Sequence, residues 1–141
     1  MKNVLWVAVA LMTAIGLGAC SSNDDNVNSA LCKTWLLVSY GNESNEVLKE
    51  AEGYYYIMTI HSDWTYTGKI YGNEMFGQYS WKNNEIRFTR PSMTLVYYVG
   101  SDSDDFFRDH LVDVHSYTVT HTELRLYYSE DEYFKFRVYN E

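Results

Sequence analysis

The sequence predicts a mainly β domain of the α+β kind: a curled antiparallel sheet or small β-barrel of about eight strands with one covering helix. Three observations carry this expectation. Aromatic residues make up 17% of the chain, with fourteen Tyr, six Phe and four Trp, and such side chains suit a pleated, half-buried surface. Short runs of apolar residues, several alternating with polar ones, recur between Gly, Asn, Asp and Ser breaks. One segment departs from that pattern, with acids at its start and apolar residues at helical spacing.

Taken in order, Leu31–Tyr40 reads as the first strand, with Trp35 in an apolar run, and 41–53 as a polar, acidic loop. Tyr54–His61 is a second strand, Ser62-Asp63-Trp64 a turn, and Thr65–Tyr71 the returning strand. Gly72-Asn73 breaks the run, and Gly77 opens another strand over Gln78–Trp81. Lys82-Asn83-Asn84 is hairpin chemistry, since Asn tolerates positive φ, and Glu85–Phe88 alternates behind it. Pro91, the single proline, marks an edge or bulge, and Met93–Val99 is apolar enough for a further strand.

From Gly100 to Asp105, hydroxyls and carboxylates supply caps and an acidic first turn, so a helix starts here and runs to about Asp113. Phe106, Phe107, His110, Leu111 and Val114 form its apolar stripe. Three strands close the chain as a meander. Val114–Thr120 is the first; Leu124, Leu126 and Tyr128 share one face of the second; Phe134, Phe136 and Val138 face inward on the third. Tyr133, Lys135, Arg137 and Tyr139 alternate outward.

The N-terminus has its own organisation. Met1-Lys2-Asn3 is a short positive region, and Val4–Leu17 is an uncharged apolar run too short for a stable membrane span. It ends in Leu17-Gly18-Ala19-Cys20, which resembles the lipobox of bacterial lipoproteins at all four positions. The expectation is an export signal over 1–19 and lipidation at Cys20, with 20–28 as an acidic tether and 29–141 as one β domain. Acyl chains contribute about 0.8 kcal/mol per buried CH₂, so two or more anchor stably. Asp24 and Asp25 follow the Cys as an acidic pair of the kind that directs some lipoproteins to the outer face, so an outer-membrane anchor at the cell surface is expected, with the periplasmic face left open.

Net charge is −8, and one unit more negative once a leader bearing only Lys2 is removed. The eleven Lys and Arg are scattered, which disfavours nucleic acid as a partner. With Cys20 lipidated, Cys32 has no intramolecular partner, so neither a disulfide framework nor a Cys-based zinc site can be built.

No catalytic constellation is legible, and neither metal nor cofactor is expected. His110 and His115 stand at i+5, wrong for a shared helical face, and with His121 they read as exposed or capping residues. Asp102, Asp104 and Asp105 lack the Gly and Glu of a calcium loop and read as helix N-terminal acids. Ser39, Ser80 and Ser116 sit in strands with no nucleophile elbow. Cys32 reads as a small core residue. The binding candidates are tyrosines, with Tyr54, Tyr56, Tyr97 and Tyr98 foremost and Tyr55, Tyr127 and Tyr128 beside them. Adjacent Tyr on a strand point to opposite faces, so some rings face outward, where they either stack on a sugar, lipid or peptide or merely pair across strands.

The segment from Leu31 to Tyr139 resembles the META domain, the family that includes heat-inducible bacterial lipoproteins. Leu31, Trp35 and Leu37 fit its opening strand; Asn73, Phe76, Gly77 and Tyr79 fit its central element; Thr94, Phe106, Leu111, Tyr117, Leu124 and Leu126 fit the rest. The chain departs from the pattern at both family cysteines, where Gly72 and Tyr98 stand, so nothing that depends on those thiols carries over. The resemblance implies a link with stress tolerance and envelope upkeep, and some members of the family resemble pilotin lipoproteins that bind lipid tails or partner segments. The expected function is a membrane-anchored, non-enzymatic envelope module that binds a hydrophobic or extended partner. The alternative is a lipocalin-like or glycan-capturing surface lipoprotein, and a third reading is a structural stress protein without a small ligand. An internal cavity would favour the first of these chemistries, a stacking platform the glycan, and a filled core the structural role.

Overall fold

In a computed structural model the described residues form a closed, eight-stranded antiparallel barrel with two additional strands and one short helix. The structure describes residues 28–48, 56–70, 72–94 and 102–140. The expected leader, Cys20, the tether up to residue 27, and Tyr54, Tyr55, Tyr97 and Tyr98 lie outside these.

The chain enters through a turn rather than a strand. Leu31 N–H donates to the Asn28 carbonyl at 2.9 Å, and the Trp35 indole N–H donates to the Leu31 carbonyl at 2.9 Å. The first strand, β1 (Thr34–Asn42), therefore starts three residues later than the apolar run suggests. A register shift between Leu37 and Ser39 turns Tyr40 towards the interior. Gly41 has φ +116°, and a Cβ there would strike the Asn45 carbonyl oxygen.

The expected 41–53 loop contains a strand, β2 (Asn45–Leu48), paired in a hairpin with β1. The Asn42 side chain accepts from the N–H of Ser44 and Asn45 at 3.0 and 2.9 Å, an Asx turn hidden within an acidic stretch. β3 (Tyr56–Ile60) and β4 (Thr65–Ile70) follow, joined by a turn in which Trp64 has φ 69°. β5 (Asn73–Lys82) starts five residues before the expected Gln78 and runs unbroken through Gly77. Gly77 lies inside the strand because the Tyr66 ring crosses it: an added Cβ would come within 2.5 Å of Tyr66 Oη.

After the turn at Asn83 (φ 57°) come β6 (Glu85–Phe88) and the two-residue β7 (Ser92–Met93), both on one edge of β5. Helix α1 (Asp102–His110) continues into a 3-10 turn, Leu111–Asp113, so only its first nine residues are α-helical. β8 (Ser116–Val119), β9 (Glu123–Tyr127) and β10 (Tyr133–Val138) form the expected meander.

The barrel runs β1-β3-β4-β5-β6-β8-β9-β10 and closes where β10 pairs with β1. Its thinnest seam joins β6 to β8 through one register pair, Glu85 opposite Ser116. Two backbone bonds of 3.3 Å flank that pair, Ile86 N–H to the His115 carbonyl and Tyr117 N–H to the Asn84 carbonyl. Side chains reinforce it: the Trp81 indole donates to Tyr117 Oη at 2.6 Å, and Tyr117 Oη donates to the Asn83 carbonyl at 2.9 Å.

Inward positions fill the barrel with large side chains, among them Trp35, Tyr56, Tyr66, Phe107, Phe134 and Phe136, all buried. α1 covers the end built from the last residues of β1 and β9 and the first of β3 and β10. Phe107 enters edge-on to Phe134 at 4.9 Å and to Tyr56 at 6.0 Å. Phe106 stacks on Tyr40 at 4.8 Å and on His110 at 4.0 Å. Edge-to-face and offset contacts of this kind add to the burial gain.

Candidate functional site

Outward side chains of β9, β10, β1 and β2 form a polar face around two depressions. Period-2 alternation places Glu123, Arg125 and Tyr127 outward on β9 and Tyr133, Lys135 and Arg137 outward on β10. The register sets Tyr127 beside Tyr133, Arg125 beside Lys135, and Glu123 beside Arg137. Ser39 of β1 pairs with Lys135 on one side and with Leu48 on the other.

These neighbours interlock. Arg125 Nε donates to Glu123 at 2.7 Å, its Nη1 lies 3.6 Å from Glu43, and its guanidinium covers the Tyr133 ring at 4.7 Å. Tyr127 meets Tyr133 edge-on at 5.4 Å. Tyr133 thus points outward yet is only 5% exposed. The Glu123 carboxylate bonded to Arg125 holds that guanidinium still more firmly in its charged form. Across the groove, Lys135 Nζ donates to Glu46 at 3.3 Å and the Ser39 hydroxyl donates to the same carboxylate. The Ser39 bond, and after it Lys135, pull the Glu46 carboxyl below its ordinary range.

The larger depression, about 610 Å³, lies between β2 and β10 over Val38, Ser39, Leu48 and Lys135. The smaller, about 320 Å³, lies by Glu43, Arg125, Tyr127 and Tyr133. β2 pairs with β1 alone among the described residues, and all four of its residues are exposed, Leu48 at 61%.

Tyr56, the one foremost tyrosine candidate within the described residues, points inward; it is 1% exposed against Phe107 and offers no ligand surface. His110 Nδ1 bonds the Phe106 carbonyl at 2.9 Å, and His115 Nε2 bonds the Ser129 carbonyl at 3.2 Å. His121 is exposed, and its carbonyl accepts from Lys33 Nζ at 3.1 Å. Among the described residues no three His, Cys, Asp or Glu gather as metal ligands, and no helix is long and apolar enough to cross a membrane. Cys32 is half-buried beside Tyr79, and burial pushes its thiol up, away from the thiolate a nucleophile needs. The interlocked face went unrecognised in the sequence, although the alternating Glu123-Arg125-Tyr127 and Tyr133-Lys135-Arg137 triplets carried its signal.

A closed antiparallel barrel with one end covered by a helix, packed within and polar on its outer wall, defines the class of protein. The sequence pattern of the META domain matches residues 29–140, and the chain belongs to the META domain family. No curated protein matches it significantly. Two solved structures share the fold. One is a DUF4847 family protein from Bacteroides vulgatus, with TM-score 0.61 at 16% identity, covering 79% of this chain and 95% of that one. The other is a protein from Burkholderia xenovorans solved by NMR, with TM-score 0.63 at 13% identity, covering 78% and 83%. Most side chains that carry the family resemblance are packing residues: Leu31, Trp35, Leu37, Tyr79, Leu111, Tyr117, Leu124 and Leu126 are buried. Phe76 is different, standing out from the barrel at 53% exposure.

Proposed function

We propose that this chain is a lipid-anchored, non-enzymatic module of a bacterial outer membrane that holds an extended partner segment in the groove between β2 and β10. The observation that carries this reading is the contrast between a filled interior and an open exterior. Trp35, Phe107, Phe134 and Phe136 occupy the space a lipid tail would need, whereas the 610 Å³ groove lies outside. Beside it, β2 offers a short edge whose Val47 and Leu48 are exposed. An extended segment can add to such an edge by main-chain hydrogen bonds and set alternate side chains into the groove. The anchor rests on Leu17-Gly18-Ala19-Cys20 behind an uncharged apolar run.

The full chain, expressed with its leader in a bacterial host and fed labelled palmitate, tests the anchor. Label and membrane fractionation are expected in the parent and lost in Cys20→Ala; an unlabelled parent left in the cytosol overturns it. Native mass spectrometry of the detergent-extracted protein tests the groove. A co-purifying peptide or protein is expected, released by Leu48→Asp; a parent that is empty, or cargo indifferent to Leu48→Asp, overturns that half.

A further inference from the structure

On the opposite part of the wall, β1, β3, β4 and β5 carry a transverse row of outward side chains in register. Thr34 pairs with Thr59, Thr59 with Thr67, and Thr67 with Phe76. The hydroxyls are fixed rather than free: Thr34 Oγ1 and Thr59 Oγ1 are 2.9 Å apart, and Thr67 Oγ1 lies 2.8 Å from His61 Nε2. β-branching adds stiffness at χ1. Each hydroxyl retains acceptor capacity beyond the bond it makes, because an oxygen has two lone pairs.

Phe76 ends this row where the alternation of β5, with Met75 and Tyr79 inward, calls for a polar residue. A lone exposed Phe needs no explanation. This one separates two shallow depressions, and both include it in their walls. One, about 350 Å³, has the Thr34–Thr59–Thr67 row as its floor. The other, about 510 Å³, is edged by Thr65, Gln78, Thr89 and Ser92. The ring is therefore a raised divider between a hollow floored by threonine hydroxyls, with the Lys69–Glu74 pair at its side, and one edged by hydroxyls and the Gln78 amide.

Two pairs of opposite charge flank these hollows, in a chain that carries −8 overall, and the Asp63 carboxylate beside them is taken up by Thr65. Lys69 is the cross-strand partner of Glu74, and Arg90 is paired with Asp109 at 3.0 Å. An anionic or cationic ligand finds no net attraction here. A ligand with apolar C–H faces and many hydroxyls finds a ring to stack on and fixed hydroxyls and amides to bond. Strands stand about 4.8 Å apart, so the row from Thr34 to Phe76 spans about 14 Å, enough for a short run of linked sugar rings.

We infer that the outer face of β1, β3, β4 and β5 binds an uncharged oligosaccharide, with Phe76 stacked on one pyranose ring and the Thr34–Thr59–Thr67 row and Gln78 bonding the units on either side. This goes beyond the partner groove and does not depend on it, since the two surfaces share no residue.

The test is affinity electrophoresis of the full chain in detergent through gels containing dextran, mannan, xyloglucan or chitin oligosaccharides. Retardation by at least one neutral glycan is expected. Phe76→Ala should weaken it at least tenfold, Phe76→Trp should restore it, and Leu48→Asp should leave it unchanged. Thermal melting of each variant reports folding, and Phe76→Ala should melt like the parent because the ring is exposed. No retardation by any glycan, or retardation that survives Phe76→Ala, overturns the inference. So does sedimentation showing that Phe76 holds two copies of the chain together, with no glycan bound.

Discussion

The ring of Tyr66 lies across Gly77 on the neighbouring strand, and its hydroxyl passes on to donate to the Thr89 carbonyl at 2.6 Å. A glycine inside a strand usually weakens it; here the absent side chain is the space the ring occupies.

Gly77→Ala should therefore be more destabilising than its volume suggests. The new Cβ would lie 2.5–2.6 Å from three Tyr66 atoms, so the ring must leave and its bond to Thr89 break. A loss of about 1–3 kcal/mol is expected for overpacking. Urea denaturation checks it, and combination with Tyr66→Ala should recover part of the loss.

Phe107→Ala should cost about 3–5 kcal/mol, because the ring is 2% exposed and packs against Phe134, Tyr56 and Phe136. Val112→Ser, one turn on and 40% exposed, should change stability by less than about 0.5 kcal/mol. Thermal unfolding of the two variants reads the difference.

Alkaline pH should destabilise the fold through buried phenols. Burial pushes both Tyr66 and Tyr128 up to about 12 from an ordinary value of 10. A raised folded-state pKa means the contribution is complete below pH 10 and disappears as pH climbs towards 12. Phenolate absorbance should show these two tyrosines ionising late, or together with unfolding, and Tyr66→Phe should remove part of the alkaline loss.

At the acid end, Ser39→Ala should raise the Glu46 carboxyl towards the ordinary carboxylate range, because the Ser39 bond is the largest cause of its depression. A depressed carboxyl stabilises above its unfolded pKa, and that contribution fades as pH falls through the folded one. Glu46 is open to solvent, so the stability effect should stay below about 1 kcal/mol. Carboxyl titration by NMR in the variant and the parent is the direct measurement.

The C-terminal meander and the helix were readable because period-2 and i, i+4 patterns report burial directly, and Leu124, Leu126, Phe134, Phe136 and Phe107 are all buried as expected. β2 was hidden because Asn45–Leu48 is exposed throughout and leaves no burial pattern. β5 extends further towards its N-terminus than the expected Gln78–Trp81 because Gly72 and Gly77 read as a break and a strand opening, whereas Gly77 lies inside the strand under the Tyr66 ring. The outer-wall sites were the least legible. Tyr133 and Phe76 both alternate outward, yet one is roofed by Arg125 and the other stands bare, and pairing between distant strands decides which.

The seam between β6 and β8 makes this wall a cylinder with one weak stave. With two long backbone bonds and a Trp81–Tyr117 latch, that joint should breathe before any other, exposing amides at Ile86 and Tyr117 to deuterium while the β4–β5 ladder stays protected. Phe107 bolts the rim beyond it, so the same barrel can loosen locally along its length and still keep its shape.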